Sequence, residues 1–222
     1  MQRIGLFGGT FNPIHRGHLH AADSVARKFP LHKIILIPSA LPPHKVPDNL
    51  AAAEDRLEMI RLAAAGRPPL EVSDVEISRS GPSYTIDTVA HYRRHFSSQT
   101  ELYLIMGIDA FMEIETWKSY AELLQKIPFI VMSRPQAGSP GGSLDVATLQ
   151  DYLKRTVSTK YIFSSSESCF EHPDKKPIFV MDIKPLDISS TDVRFRIKHN
   201  RSVGSLIPEA VEAYIQTRGL YK

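Results

Sequence analysis

Short apolar runs alternate with helix-like stretches along the chain. The apolar runs predict strands at residues 3–7, 33–37, 70–72, 101–106, 129–132, 161–163 and 178–181. Helical patterns occupy residues 19–29, 51–65, 83–95, 144–157 and 190–199, and a last helix starts near Pro208. Strands interleaved with helices predict βαβ units, and therefore an α/β fold on a parallel sheet with right-handed crossovers. In such sheets, ligands bind beyond the carboxyl ends of the strands.

The length of the chain favours one domain. A chain of 222 residues can bury a substantial core but is short for two domains. Residues 135–177 are less regular than the rest, and residues 138–143 form a break rich in Gly, Ser and Pro. We therefore predict a single domain over residues 1–222, in which residues 135–177 form an inserted or mobile segment.

Charge and cysteine content indicate which kind of ligand the protein binds and in which compartment it occurs. The 27 Lys and Arg residues against 24 Asp and Glu residues give a net charge of +3. This mild excess fits an anionic small molecule, and the lack of a basic run argues against a nucleic-acid partner. Cys169 is the only cysteine, which excludes an intrachain disulfide and favours a reducing compartment. Because no apolar stretch has the length of a membrane span, we expect a cytoplasmic protein without a membrane partner.

The segment at residues 8–18, Gly-Gly-Thr-Phe-Asn-Pro-Ile-His-Arg-Gly-His, lies between the first predicted strand and the first predicted helix. Gly8 and Gly9 favour a sharp turn and let backbone N–H groups approach a ligand closely. The helix N-terminus presents unpaired donors and a positive dipole, which suit a phosphate. His15 and His18, three residues apart, are placed to donate to phosphoryl oxygens. Taken alone, each feature also fits an ordinary turn with surface histidines.

A second motif, Ile-Ser-Ser-Thr-Asp-Val-Arg at residues 188–194, marks the start of another helix. Its Ser and Thr residues are typical helix caps, and their hydroxyls suit a phosphate. Arg194 lies one helical turn after Ser190 on the same face, where its planar guanidinium can bind phosphate oxygens. The alternative is a capped helix with a surface arginine. Two helix N-termini that favour anions together indicate a bound polyphosphate.

These two motifs resemble the nucleotidyltransferase superfamily with a His-x-Gly-His loop. Within it, the chain is similar to the bacterial nicotinate mononucleotide adenylyltransferases, from residue 3 to about 134 and again from about 186 onward. Narrower motifs support this family, in the family's order: Pro-Pro-His-Lys at 42–45, Gly-Pro-Ser-Tyr-Thr-Ile-Asp-Thr at 81–88, Gly-Ile-Asp at 107–109, and Trp117. The resemblance implies a Rossmann-like, doubly wound parallel sheet of the nucleotidyltransferase type, with a C-terminal helical part.

The resemblance also implies a reaction, the transfer of AMP from ATP to nicotinate mononucleotide, which gives nicotinate adenine dinucleotide and pyrophosphate in NAD biosynthesis. The residues that match the family's motifs receive three roles. The catalytic residues would be His15, His18 and Arg194; those that bind ATP would be Gly8, Gly9, Thr10, Phe11, Gly17, Gly107, Asp109, Ile188, Ser189 and Ser190; those that bind the acceptor would be His44, Lys45, Tyr84, Thr85 and Trp117.

The residue types on the acceptor side suit such a substrate. Lys45 follows two prolines and a histidine, and is a rigidly presented cation for a phosphate monoester. Tyr84 and Thr85, at a helix start, offer backbone donors to a carboxylate. The indole of Trp117 can stack on a pyridinium ring, with a cation–π contribution of about 1 kcal/mol. Asp109, at the end of a strand, is placed to accept hydrogen bonds from ribose hydroxyls.

The sequence predicts no side chains that ligate a metal. No cluster of Asp and Glu suggests a dedicated metal site, so we expect Mg²⁺ to be brought with ATP, held by phosphates and water. The chain also lacks a Gly-x4-Gly-Lys-Ser/Thr loop, which argues against P-loop chemistry. The expected partners are ATP and nicotinate mononucleotide, and the sequence leaves a homo-oligomer open.

Three alternatives remain at this point. The same type of enzyme could use another acceptor, chiefly nicotinamide mononucleotide or phosphopantetheine. The chain could instead be a non-catalytic nucleotide-binding module, against which the intact His15, His18 and Arg194 argue. A nucleic-acid-binding protein fits worst, because the excess of positive charge is small.

Overall fold

The chain forms two compact units. The computed structural model describes residues 2–41, 49–133, 146–184 and 186–222. The first unit contains Met1–Leu6 and Tyr84–Pro185, and the second contains Phe7–Ser83 and Leu186–Lys222. The prediction of a single domain over residues 1–222 is not tested by this division and stays a prediction.

Strands and helices alternate through most of the chain. The strands are β1 (Gln2–Gly9), β2 (Lys33–Pro38), β3 (Leu70–Val72), β4 (Thr100–Gly107), β5 (Phe129–Ser133), β6 (Ile162–Ser164), β7 (Cys169–Glu171) and β8 (Ile178–Asp182). The α-helices are α1 (Arg16–Lys28), α2 (Ala53–Ala64), α3 (Thr85–His95), α4 (Ile108–Phe111), α5 (Tyr120–Lys126), α6 (Val146–Tyr152), α7 (Ser190–Lys198) and α8 (Glu209–Arg218). A 3₁₀ turn covers Ile114–Thr116, and a π-helix covers Leu153–Val157.

The sheet of the first unit has the strand order β1-β4-β5-β8-β7-β6. Strands β4, β5 and β8 pair in parallel, as the apolar runs predict. Strands β6 and β7, however, are antiparallel to their neighbours. Only residues 165–168 join β6 to β7, and so short a connection permits a hairpin but not a parallel crossover. Ser168, at the end of this turn, takes the left-handed conformation with a φ of 50°. The α/β prediction is confirmed, with an antiparallel edge added to the sheet.

In the second unit, the strand order is β3-β2-β1. Strands β2 and β3 pair in parallel, with Ile34 opposite Leu70. All residues of β2 after Lys33 are buried, which explains its continuous apolar run. Helix α2 packs against β2, β3 and α8, so that α8 is part of the core of this unit. This packing accounts for the buried Val211 and Ile215 on α8.

The predicted helices are present with shifted ends. Helix α1 begins at Arg16 and not at residue 19, which places His18 in its first turn. The sequence patterns missed the short helices α4 and α5 and strand β7. The predicted break at residues 138–143 lies outside the described residues. Within the described parts of the chain, no helix has the length and apolar character needed to cross a membrane.

Candidate active site

The loop between β1 and α1 turns at a different place from the predicted one. Gly8 and Gly9 are the last residues of β1 and have extended backbones, so the prediction that they form the turn is wrong. The turn is made by Phe11, with a φ of 47°, and by a cis peptide bond between Asn12 and Pro13. Gly9 has another role, since a Cβ atom there would lie 3.0 Å from the Phe11 ring. The missing side chain therefore makes room for the buried ring of Phe11.

His15 and His18 form a stacked pair at the start of α1. Their ring centroids lie 3.7 Å apart, with an angle of 25° between the planes. The backbone N–H of His15 donates to Nδ1 of His18 at 3.3 Å. Because Nδ1 accepts this bond, the neutral His18 ring carries its proton on Nε2. The Phe11 ring packs edge-on against His18, with centroids 5.0 Å apart. His18 thus has a fixed orientation and a defined donor.

The absence of a side chain at Gly17 leaves room for the His15–His18 pair beside the start of α7. A Cβ atom on Gly17 would lie 2.9 Å from Nδ1 of His15 and 3.6 Å from the carbonyl oxygen of Ile188. A larger residue would push the His15 ring out of place. The neighbouring Arg16 N–H donates to the Leu206 carbonyl at 2.8 Å, whereas no described residue accepts from the Gly17 N–H. Gly17 therefore offers a first-turn donor to a ligand.

The start of α7 lies against the same loop. Ser189 is the N-cap of α7, as predicted, and its hydroxyl accepts from the Asp192 N–H at 3.1 Å. Ser190 Oγ donates to the Pro13 carbonyl at 3.0 Å, so its proton is already engaged. Arg194 Nη1 donates to the Asn12 carbonyl at 2.8 Å. The two motifs, 177 and 182 residues apart at these contacts, are brought together by direct hydrogen bonds.

Arg194 is hydrogen-bonded to the loop between β1 and α1 and still has N–H groups that can bind a ligand. Besides its bond to Asn12, its Nη2 donates to Thr191 Oγ1 at 3.3 Å. A guanidinium has five N–H groups, and these two bonds are the ones it forms with described residues. A cavity of about 180 Å³ lies beside it, lined by Asn49, Thr191, Arg194, Phe195, Lys198 and Tyr221. The two charged residues of this lining, Arg194 and Lys198, are both cationic.

Sequence reasoning missed Arg56, which supports the loop from below. Its guanidinium is fully buried and donates to the carbonyls of Thr10 at 2.8 Å and Ser39 at 2.7 Å. It also donates to Ala51 and Ala40, both at 3.1 Å. Burial lowers the pKa of Arg56. Arg56 therefore joins the loop after β1 to the loop after β2. An arginine in the first turn of an ordinary amphipathic helix gave no signal of this.

In the first unit, the predicted acceptor-binding residues lie at the start of α3 and just before α5. Tyr84 is the N-cap of α3, and the N–H groups of Asp87 and Thr88 donate to its carbonyl at 3.1 and 3.3 Å. No described residue accepts from the Thr85 N–H, which leaves it as a donor. Trp117 is partly exposed, unlike an ordinary core tryptophan. The start of α3 therefore offers a backbone donor, the Thr85 N–H, to a ligand.

Two other groups of predicted residues have different outcomes. Gly107 ends β4 and is the N-cap of α4, and Asp109 is exposed in the first turn of that helix. Asp109 is thus accessible to a ribose. His44 and Lys45 lie outside the described residues. Within the described parts of the chain, no group of three or more His, Cys, Asp and Glu side chains has an arrangement that could hold a metal ion.

Comparison with known proteins identifies the family of this chain. The model of the cytidylyltransferase-like family matches residues 6–196, which include both motifs of the second unit. The chain belongs to this family. It is 42% identical over 221 residues to a protein of Desulfatibacillum aliphaticivorans named probable nicotinate-nucleotide adenylyltransferase, covering 99% of both chains. A protein of Moorella thermoacetica with the same name is 40% identical, over 99% of this chain and 92% of the relative. The chain therefore belongs, within the family, to the nicotinate-nucleotide adenylyltransferases.

A solved structure agrees on the fold. Nicotinic acid mononucleotide adenylyltransferase of Plasmodium falciparum, complexed with NaAD, matches with a TM-score of 0.72 and 18% identity. The match covers 100% of this chain and 98% of that one. The predicted nucleotidyltransferase fold is confirmed, and so is the resemblance that the motifs indicate.

Proposed function

We propose that this protein transfers AMP from ATP to nicotinate mononucleotide, giving nicotinate adenine dinucleotide and pyrophosphate. The phosphate of the acceptor attacks the α-phosphorus of ATP and forms a new P–O bond. The bond between the α-phosphorus and the bridging oxygen breaks, and pyrophosphate leaves with that oxygen. The relatives named for this activity, which match the chain over nearly its full length, support the proposal.

The observation that carries the proposal is the convergence of the two motifs in the second unit. Arg194 and Ser190 are hydrogen-bonded to Asn12 and Pro13, only a few residues before the stacked His15–His18 pair. This arrangement brings a guanidinium, an imidazole N–H and the first-turn donors of α1 to one loop. Each of these groups is a donor that suits phosphoryl oxygens.

The reaction does not require a strong base. The acceptor is a phosphate monoester with a second pKa near 6, so that it is mostly a dianion at pH 7. The task of the protein is to align two anions and to stabilise the charge that develops on the leaving pyrophosphate. We assign this stabilisation to Nε2–H of His18, to Arg194 and to the Gly17 N–H. His15 orients His18 through its backbone N–H and its ring.

For the acceptor, we propose that the start of α3 binds the nicotinate carboxylate. The Thr85 N–H and hydroxyl would donate to it, and Trp117 would stack on the pyridinium ring. The ammonium group of Lys118 lies near the start of α3. Its Nζ is 4.4 Å from the centre of the Tyr84 ring and 3.3 Å from Asp87 Oδ2. Lys118 offsets the negative charge that Asp87 would otherwise present near the carboxylate.

We propose that Mg²⁺ arrives with ATP and stays on its phosphates and water. When bound, the cation would neutralise part of the charge on the β- and γ-phosphates. The donors of the described residues at the loop are cationic or neutral N–H groups, which suit the phosphate oxygens and not the cation itself. The role of the protein is therefore to bind the phosphate oxygens of ATP that Mg²⁺ does not coordinate.

The direct test is to mix the purified protein with ATP, Mg²⁺ and nicotinate mononucleotide. The proposal predicts nicotinate adenine dinucleotide by mass spectrometry, with one pyrophosphate released for each dinucleotide formed. Phosphopantetheine in place of the nucleotide serves as the control acceptor. Efficient use of phosphopantetheine, with no dinucleotide from nicotinate mononucleotide, would contradict the proposal.

A further inference from the structure

Asn12 is a hydrogen-bonded centre within the loop between β1 and α1, which we call the phosphate-binding loop. Its side chain is buried, with 3% exposure. Its Oδ1 accepts from the Ala51 N–H at 3.1 Å and from the Tyr221 hydroxyl at 2.7 Å, and its Nδ2 donates to the Asn49 carbonyl at 3.1 Å. Its backbone carbonyl accepts from Arg194. A shift of Asn12 would therefore move both Arg194 and the chain that leads to His15.

Tyr221 reaches Asn12 through an unusual backbone path. Helix α8 ends at Arg218 and is capped by Gly219, which is left-handed with a φ of 63°, and the Leu220 N–H donates to the Ile215 carbonyl. Tyr221 is itself left-handed, with a φ of 64°. A bulky residue rarely adopts this conformation unless its surroundings require it. Here the conformation directs the phenol to Asn12.

The surroundings keep Tyr221 as a donor. Burial raises the pKa of its phenol, although the guanidinium groups of Arg194 and Arg56 oppose this rise. Tyr221 also lines the cavity beside Arg194. Its hydroxyl is therefore protonated and donates to Asn12, and Tyr221 shares the cavity lining with the arginine that we assign to ATP.

We propose that Tyr221 is a positioning residue for the phosphate-binding loop, acting through the side-chain amide of Asn12. The Tyr221 hydroxyl and the Ala51 N–H fix Oδ1 from two directions, which sets the orientation of Asn12 and so of its carbonyl toward Arg194. This inference rests on the proposed function, because it takes the loop as the ATP site. None of the roles assigned to the two motifs includes Tyr221.

Tyr221→Phe removes the hydroxyl and keeps the ring. Tyr214→Phe is the matched control, because Tyr214, on helix α8 just before Tyr221, donates to Asp55 Oδ1 at 2.8 Å and not to Asn12. Both variants lose one tyrosine hydrogen bond, so we expect similar small changes in the melting temperature. The dissociation constant of ATP, measured by calorimetry without acceptor, should rise about three- to tenfold in Tyr221→Phe alone. Its kcat should fall by about the same factor, with the KM for nicotinate mononucleotide unchanged.

A double variant shows whether Tyr221 acts through Asn12. If it does, Tyr221→Phe will weaken ATP binding no further when it is added to Asn12→Ala. Additive effects, or equal ATP affinities in Tyr221→Phe and Tyr214→Phe, would overturn the inference and leave the proposed function intact. A wild-type protein that binds ATP but forms no dinucleotide would instead contradict the proposed function alone. Failure to bind ATP at all would contradict both.

Discussion

The loop between β1 and α1 and the start of α3 are both helix N-termini to which we assign an anion, yet they are built differently. The loop is held by buried groups, with Asn12 at 3% and Arg56 at 0% exposure, and by hydrogen bonds from Ser190 and Arg194. The start of α3 has partly exposed aromatic residues and an exposed ion pair between Lys118 and Asp87. The loop between β1 and α1 is therefore held by a buried scaffold, whereas the described residues at the start of α3 offer a few local donors.

This difference suggests that the two regions have separate tasks in the reaction. Phosphoryl transfer requires fixed donors, since a small displacement of groups that stabilise the leaving pyrophosphate lowers the rate steeply. Choice between nicotinate and nicotinamide requires only that a carboxylate be preferred to an amide at one helix start. Changes in the first region should alter turnover for every acceptor, and changes in the second should alter the choice of acceptor.

The largest expected effect is on stability, from Arg56→Met. This change leaves the carbonyls of Thr10, Ser39 and Ala40 without their buried donor. We expect the free energy of unfolding to fall by about 3–5 kcal/mol, read from urea denaturation. Arg155→Met is the control, because Arg155 is exposed and donates only to the Asp151 carbonyl among its described contacts. A loss below about 1 kcal/mol would mean that the buried scaffold does not hold the loop.

The next effect is on turnover, from His18→Ala. Loss of one preorganised donor to the developing charge should lower kcat by about 10²–10³-fold. His20→Ala, two residues further along α1, should keep most of the activity. The fold should survive, because His18 is only partly buried. Near-normal kcat in purified His18→Ala would remove His18 from the mechanism.

A smaller effect is expected from Arg194→Lys. Lysine keeps the charge but cannot bind the Asn12 carbonyl and a phosphate through one planar group. We expect kcat/KM for ATP to fall about tenfold, as for the loss of one charged hydrogen bond. Arg196→Lys is the control, since Arg196 pairs with Asp192 at 2.9 Å on the same helix. Equal activity in Arg194→Lys would make Arg194 a structural residue.

The smallest effect tests the acceptor side. Thr85→Val removes a hydroxyl at the start of α3 and should reduce the preference for nicotinate mononucleotide over nicotinamide mononucleotide about three- to tenfold. Trp117→Ala should weaken both acceptors equally, because stacking does not distinguish a carboxylate from an amide. A preference that Thr85→Val leaves unchanged would place the carboxylate elsewhere.

The sequence predicted local structure better than it predicted long-range contacts. Each strand that an apolar run predicts is present, and the Ser-Ser-Thr motif correctly marks the N-cap of α7 at Ser189. Both features depend on residues that are neighbours in the sequence. The antiparallel pair β6–β7 was missed, since β7 lies within residues 135–177, where the sequence pattern is less regular. The turn was predicted at Gly8 and Gly9, because glycine allows sharp turns, but it is made by Phe11 and Asn12–Pro13.

The contacts that support the site had no local signal. Tyr221 reaches Asn12 across 209 residues, and Arg56 reaches Thr10 across 46. No spacing rule relates such residues, because the partners meet only after the strands and helices have packed. The family motifs named the residues that we assign to the ligands, but not the buried residues that hold them.

The most direct test of this account is the ratio of kcat/KM for nicotinate mononucleotide to that for nicotinamide mononucleotide, measured in the wild-type protein and in His18→Ala. A charged acceptor group at a helix start should give a wild-type ratio on the order of 10² or more. The same ratio should hold in His18→Ala, although both values of kcat/KM fall. Comparable kcat/KM for the two acceptors in the wild-type protein, or a ratio that collapses in His18→Ala, would contradict the account.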